Sequence, residues 1–246
     1  MSLQPLRTMG EKCAGGTAMI RLHITCEGQT EQGFVKAVLA PHLAAYGIFT
    51  DARCVLTSKD RRTAKEYRGG LISYSKAKQD IRNWIKEDNH PECRFTTMFD
   101  LYALPDDFPG YANAQRIADK YKKIDALELA MQQDMNEPRF IPYLQLHEFE
   151  ALILADPQSL DWEYLEHDQP INRLTKMMNG KNPELINDGP ATAPSQRIVA
   201  EIPEYDKATA GVSVCKKIGL ATLRKQCSHF NDWVHILEQL NRSLES

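Results

Sequence analysis

The 246-residue sequence predicts an α/β fold, a mostly parallel four-stranded sheet flanked by helices with a helical C-terminal extension. Three observations predict it. From Met19 onward, apolar runs of strand length alternate with runs of helical periodicity, the pattern of parallel strands joined by crossover helices. After Asp156 the strand signal fades while helical spacing continues. Three predicted strands run straight into acidic residues: 20–25 into Glu27, 95–99 into Asp100, and 140–146 into His147, Glu148 and Glu150. In an open parallel sheet the carboxyl ends of the strands share one edge, so these carboxylates converge although they are remote in sequence.

The first strand, 20–25, is followed by the turn Glu27-Gly28-Gln29-Thr30-Glu31. Gly28 there can take conformations closed to other residues. The next helix sets Phe34, Val35, Val38, Leu39, Leu43 and Tyr46 on one face, with Thr30 as its expected cap and Glu31 suited to its positive end. A second strand, 52–56, leads into a loop over 58–70. Lys59, Arg61, Arg62, Lys65 and Arg68 outnumber two acids in that loop, which closes on Gly69 and Gly70. A helix over 71–88 is expected to bury Ile72, Ile81, Trp84 and Ile85. The Asp100 strand follows, then a loop over 102–110 rich in proline and aspartate. A helix over 113–136 connects to the fourth strand, and 147–154 reads as a helix start with its glutamates on the first turn, where free N–H groups favour anions. Residues 179–194, with their Asn, Gly and Pro, read as a connection. Helices are expected over 195–202, 208–220 and 230–240, where Trp233, Ile236, Leu237 and Leu240 recur at core spacing. The expected organisation is a flexible leader 1–18, an α/β core 19–156 and a helical extension 157–246 packed on that core.

Composition bounds the function loosely. A charged fraction of 26% and a hydrophobic fraction of 42% are those of an ordinary globular protein. A formal net charge of -3 argues against a generally basic nucleic-acid coat but leaves room for a local basic groove. The six cysteines form no C-x-x-C pair and read as reduced thiols of a cytoplasmic protein. No apolar run approaches a membrane span, and the first 18 residues lack the apolar stretch of a secretory signal. There is no G-x-S-x-G elbow, and Gly28-Gln29-Thr30-Glu31 lacks the lysine of a phosphate-binding loop, so ATP hydrolysis by this chain alone is not expected.

Convergent carboxylates are a hard-cation site suited to Mg²⁺ or Mn²⁺. Crowded at a sheet edge they repel, and the arrangement persists only if cations neutralise them or protons bind. The plainer reading is that each acid caps a helix or sits in solvent. The basic loop likewise has two readings, a phosphate-binding strand track or a solvated charge run. Cys26 beside Glu27 reads as a buried strand-end thiol.

The apolar strand 20–26 followed by Glu27-Gly28 resembles the opening motif of Toprim domains, the Rossmann-like catalytic fold of topoisomerases, primases and OLD-family nucleases, and the Asp100 strand falls where the second Toprim motif belongs. The strings Glu27-Gly28-Gln29-Thr30-Glu31, Asp100-Leu101-Tyr102, Leu146-His147-Glu148-Phe149-Glu150-Ala151-Leu152 and Tyr205-Asp206-Lys207 more closely resemble a bacterial Toprim-like family often encoded beside ABC-type ATPases. The resemblance implies a Mg²⁺-dependent (or Mn²⁺-dependent) nuclease that hydrolyses phosphodiesters of DNA or RNA, in defence against phage, with an ATPase partner. It implies Glu27, Asp100 and Glu148 as catalytic residues, with Glu27, Asp100, Glu148 and Glu150 around the metal. From the residues themselves, Arg68 and Lys207 are the candidates to bind substrate phosphate and His147 to orient a neighbouring carboxylate; Asp206 and Arg224 could also face the site, whereas His229 reads as a satisfied core or capping histidine ahead of a proton carrier. Toprim domains carry Asp-x-Asp at the second motif, whereas this chain has Tyr102 in the third place. Either Asp106, Asp107 or the Glu148/Glu150 pair replaces that acid, or the chain is a catalytically weak adaptor that binds its ATPase or nucleic acid. A phosphatase acting on small phosphoesters is a third reading.

Overall fold

The structure, a computed structural model, describes residues 19–59, 66–68, 71–186 and 189–241. The expected leader lies outside these residues, as do Arg61, Arg62, Lys65, Gly69 and Gly70.

The α/β expectation holds. β1 (Ile20–Cys26) and β5 (Cys93–Asp100) form the centre of a parallel sheet, with β2 (Ile48–Cys54) beyond β1 and two short strands beyond β5. Both central strands are largely buried on both faces, as parallel strands covered by helices must be. One face of the sheet packs Ile20, Leu22, Ile24 and Met98 against Phe34, Leu39, Val214, Phe230 and Leu237. The other packs Phe95, Phe99 and Phe140 against Ile81, Trp84, Ile124, Leu127 and Met131. At the carboxyl edge the Glu27 N–H donates to the Met98 carbonyl (3.0 Å) and the Val55 N–H to the Cys26 carbonyl (2.9 Å), so the strand ends stay level.

The predicted fourth strand is broken. Phe140–Ile141 (β6) and Leu144–Gln145 (β7) each pair with β5, with Pro142 between them. Proline has no N–H for the ladder. A side chain fills the gap: Thr97 Oγ1 donates to the Tyr143 carbonyl (2.9 Å) and accepts from the Tyr143 N–H (3.0 Å), all of it buried. Thr97→Val keeps the shape but strands both backbone groups. It is expected to cost about 2–4 kcal/mol, read as a lower urea midpoint at unchanged slope.

Other elements shift for local reasons. The first crossover is α1 (Gln29–Phe34), a π turn (Val35–Leu39) and α2 (Ala40–Ala44). The π turn accommodates Pro41, which cannot donate and would crowd a carbonyl in a regular helix. Gly28, not Thr30, occupies the N-cap; Thr30 is buried within the first turn. The second strand ends at Cys54 instead of 56, and the basic segment contains an antiparallel pair, β3 (Leu56–Lys59) and β4 (Glu66–Arg68), where a plain loop was expected. α3 (Tyr74–Glu87) starts later than predicted because Asp107 accepts from the N–H groups of Tyr74 (2.8 Å) and Ser75 (3.1 Å). Ile72, expected in the core, precedes that start and is 70% exposed. The predicted helix 113–136 divides into α4 (Tyr111–Ala114) and α5 (Lys120–Met135), because Asp119 caps the second by accepting from the Lys122 N–H (3.0 Å).

The rest is helical: α6 (Glu150–Ile153), α7 (Asp168–Met178), α8 (Pro194–Glu201), α9 (Lys207–Ile218), α10 (Leu220–Gln226) and α11 (Ser228–Glu238). Trp233, Leu237 and Leu240 are buried, whereas Ile236 is half-exposed. Among the described residues no helix is long and apolar enough to cross a membrane, and Cys26, Cys54, Cys93, Cys215 and Cys227 are buried thiols outside any disulfide.

Candidate metal centre

Glu27 is the first residue past β1. Its carboxylate accepts the backbone N–H of Asp100 (3.0 Å) and is drawn also by the N–H of Leu71. Burial raises its pKa, and the Asp100 bond pulls it back down. Asp100 ends β5, buried, with Oδ2 3.3 Å from Lys207 Nζ. Its Oδ1 is buried without a hydrogen-bond partner. Burial holds the Asp100 carboxyl well above the ordinary range; Lys207 opposes this, while Glu31, Glu27 and Glu150 add to it.

Two further carboxylates complete the ring. Glu31, on the first turn of α1, accepts the Gly28 N–H at Oε2 (2.9 Å) and places Oε1 3.1 Å from Lys207 Nζ. Glu150, the first residue of α6, sets Oε2 3.5 Å from the same ammonium and accepts from the Tyr205 hydroxyl (3.5 Å). Its pKa is pushed up to about 7, chiefly by burial, with Lys207 opposing and Glu148 adding. Lys207 opens α9, whose N-terminus Asp206 caps by accepting from the Ala208 N–H (3.0 Å). Burial alone would lower the Lys207 pKa, but Asp100, Glu150 and Glu31 together raise it.

The sequence-derived set is thus partly assembled. Glu27, Asp100, Glu150 and Lys207 meet at one edge. Glu148 turns aside: its Oε1 accepts the N–H of Ser195 (2.5 Å) at the start of α8. Lys207 spends its charge on carboxylates. Arg68 lies in β4, and its side chain falls outside the described residues. Asp107 serves α3, and Asp106 is exposed. His147 is buried with a left-handed φ of 64°, and its carbonyl accepts the Tyr102 N–H (2.8 Å). Arg224 pairs with Glu238 (2.5 Å) and His229 with Glu128 (3.0 Å). Sequence reasoning missed Glu31 as a member of the site. The available signal was its place three residues after Gly28: the capping-box bond folds the carboxylate back over the helix start, hence toward the end of β1.

Helix spacing fixes the cluster. A Cβ added at Gly211 of α9 would meet Thr30 Cγ2 at 3.1 Å and Phe149 Cε1 at 3.2 Å, and one at Gly33 would meet Val212 Cγ2 at 2.9 Å. Lys207 reaches Glu31 because these two helices touch through glycine. Thr30 and Phe149 are buried and cannot recede, so Gly211→Ala is expected to lose about 1–2 kcal/mol despite the better helix former, visible as a lower melting temperature.

Carboxylate oxygens are the donors here, which suits a small hard cation. Asp100 Oδ1 is a buried acceptor without a hydrogen-bond partner, and among the described residues the carboxylates outnumber the one ammonium they share, so the donor chemistry suits a divalent cation. Glu27, Asp100 and Glu150 are the residues that would hold it. The groups of three donors within 4.8 Å of one another among the described residues lie elsewhere, at His23, Asp88 and Cys93 and at Asp125, Glu128 and His229. Here the carboxylates are arranged around Lys207.

A family model described as "Domain of unknown function (DUF4276)" matches residues 26–238. No curated protein matches significantly. Among solved structures, the C-terminal region of the Xanthomonas campestris pv. campestris OLD protein is similar over 88% of this chain and 95% of that one, at 15% identity and a TM-score of 0.41. The C-terminal region of the Burkholderia pseudomallei OLD protein is similar over 87% and 98%, at 17% identity and a TM-score of 0.39. At this level the likeness carries no functional argument.

Proposed function

This chain belongs to the family of the domain of unknown function DUF4276, and we propose that it is a Toprim-like, divalent-cation-dependent nuclease hydrolysing DNA or RNA phosphodiesters. The observation that carries this reading is Asp100 Oδ1, a buried carboxylate oxygen without a partner at the edge where Glu27, Glu31 and Glu150 converge. Bound there, Mg²⁺ or Mn²⁺ supplies Lewis acidity toward a phosphodiester oxygen and a lowered pKa for coordinated water.

The chain's own residues do the rest. Asp100 faces two ways, with Oδ2 on Lys207 and Oδ1 free for a ligand. Glu27 is held by backbone N–H groups, so its orientation does not depend on a mobile side chain. Glu150, whose carboxyl is pushed up to about 7 by burial in the cation-free protein, would give up its proton to serve as a ligand. Lys207 holds the carboxylates together against their mutual repulsion. Glu148, bonded to Ser195, would steady α8 beside the site and tune Glu150. An ATPase partner and a defence role fit a nuclease that must be restrained, and remain part of the proposal.

The test is hydrolysis of plasmid, linear DNA and RNA by purified protein with Mg²⁺ or Mn²⁺, alongside calorimetry. Cation-dependent cleavage, lost with chelator, is expected. Absence of divalent binding at millimolar concentrations would sink the nuclease and favour the adaptor.

A further inference from the structure

A notch of about 200 Å³ is walled by Leu101, which follows Asp100 in the chain, and by Tyr102, Gln115, Lys120, Lys123 and His147. Enclosed small-molecule sites run from ~300 Å³ upward, so this notch admits only part of a ligand that continues past its mouth. Its chemistry is the opposite of its neighbour's. Lys120 and Lys123 sit at the start of α5, and Lys123 donates to Gln115 Oε1 (2.9 Å). Neither lysine has a carboxylate ion pair among the described residues. Burial and the adjacent Lys120 lower the Lys123 pKa, as expected of a cation lacking its counter-charge. Tyr102 presents an aromatic face that is 52% exposed, on a turn pinned by its N–H to the His147 carbonyl (2.8 Å).

Resting on the nuclease reading, we infer that this notch is a subsite for a single-stranded nucleic acid, in which Lys120 and Lys123 take a backbone phosphate next to the one at the carboxylates and Tyr102 stacks an unpaired base. A polyanion approaching the acidic edge is repelled, and a lysine pair one step along the strand offsets that repulsion where no carboxylate competes. The exposed ring supplies a sequence-tolerant stacking platform, which a base already stacked within a duplex cannot use. Tyr102, in the place where Toprim domains carry a second aspartate, thereby serves the strand.

The experiment is fluorescence anisotropy with a short, cleavage-resistant phosphorothioate oligonucleotide in Mn²⁺, single-stranded and as a duplex, with calorimetry of Mn²⁺ on each protein. Tyr102→Ala should weaken single-strand binding about tenfold and duplex binding little, and Tyr102→Phe should restore it. Lys120→Glu with Lys123→Glu should weaken binding and reduce the salt slope by about 0.7, the value for one phosphate contact on a single strand. Mn²⁺ binding should be unchanged in all three. Single-strand affinity and salt slope unaltered in these variants, with Mn²⁺ binding intact, would overturn the subsite alone, as would equal loss for duplex and single strand. Failure of the wild-type protein to bind Mn²⁺ would instead overturn the nuclease reading on which it rests.

Discussion

Replacing Asp100 by asparagine is expected to abolish divalent binding and reduce phosphodiester hydrolysis by about 10³-fold or more, while making the cation-free protein more stable. The first half follows from the ligand: asparagine keeps the shape but gives up the negative charge that the free Oδ1 would offer a cation, and several kcal/mol of lost stabilisation corresponds to a rate loss of this size. The second half follows from the surroundings. Asp100 is buried among Glu27, Glu31 and Glu150 with one shared ammonium, so its charge is tolerated and costs stability. A neutral amide in its place would relieve that crowding, and Lys207 would keep Glu31 and Glu150 as partners. A gain of about 1–3 kcal/mol is expected, read as a higher denaturant midpoint. Retained cleavage by the variant would remove Asp100 from the site. Marked destabilisation would show that the carboxylate serves the fold instead.

The cation-free protein should also lose stability as pH rises, and Glu150 sets the window. Its folded pKa, about 7, lies above the ordinary value of 4.5. A carboxyl whose pKa is raised on folding binds protons more tightly in the native state. Its contribution is therefore full below the unfolded pKa and is lost progressively as pH climbs from roughly 4.5 through 7. At ~1.4 kcal/mol per pKa unit this loss is on the order of 3 kcal/mol. Glu150→Gln should make the fall in melting temperature between these limits shallower, leaving the part due to Asp100 and Glu27, and Mn²⁺ should raise it most at the alkaline end of the wild-type curve. A wild-type profile rising steadily across that range would contradict the assignment. Thermal melts at several pH values with and without chelator measure all of this.

The sheet was legible because its strands are short apolar runs ending in acids, and acid placement at strand ends survives even where strand limits move. What moved did so through contacts between distant residues. Asp107 chooses where α3 begins, and Thr97 bridges the interruption that Pro142 makes in the fourth strand; neither bond has a local signature. The break before α5 had one in Asp119, outweighed by helical periodicity on both sides. Of the candidate site, the meeting of Glu27, Asp100 and Glu150 at one sheet edge was readable from position along their elements. Glu31 was hidden by a sufficient local explanation as a helix-start acid. Glu148 was misleading because it lies just ahead of the helix that Glu150 opens, and there its carboxylate turns to Ser195 instead of Lys207.

The glycine contact between α1 and α9 has a further consequence. Gly33 and Gly211 let the helices that carry Glu31 and Lys207 close to a spacing that no side chain at these two positions would permit. Mg²⁺ sits roughly 2.0–2.1 Å from its oxygens and Ca²⁺ roughly 2.3–2.6 Å. Side chains drawn together by so short a helix spacing suit the shorter of these distances, and the residues that permit the spacing carry no ligand atom at all. Ca²⁺ should accordingly compete better in Gly211→Ala protein, whose added methyl group wedges the helices apart, than in the native chain, where the two backbones act as a gauge.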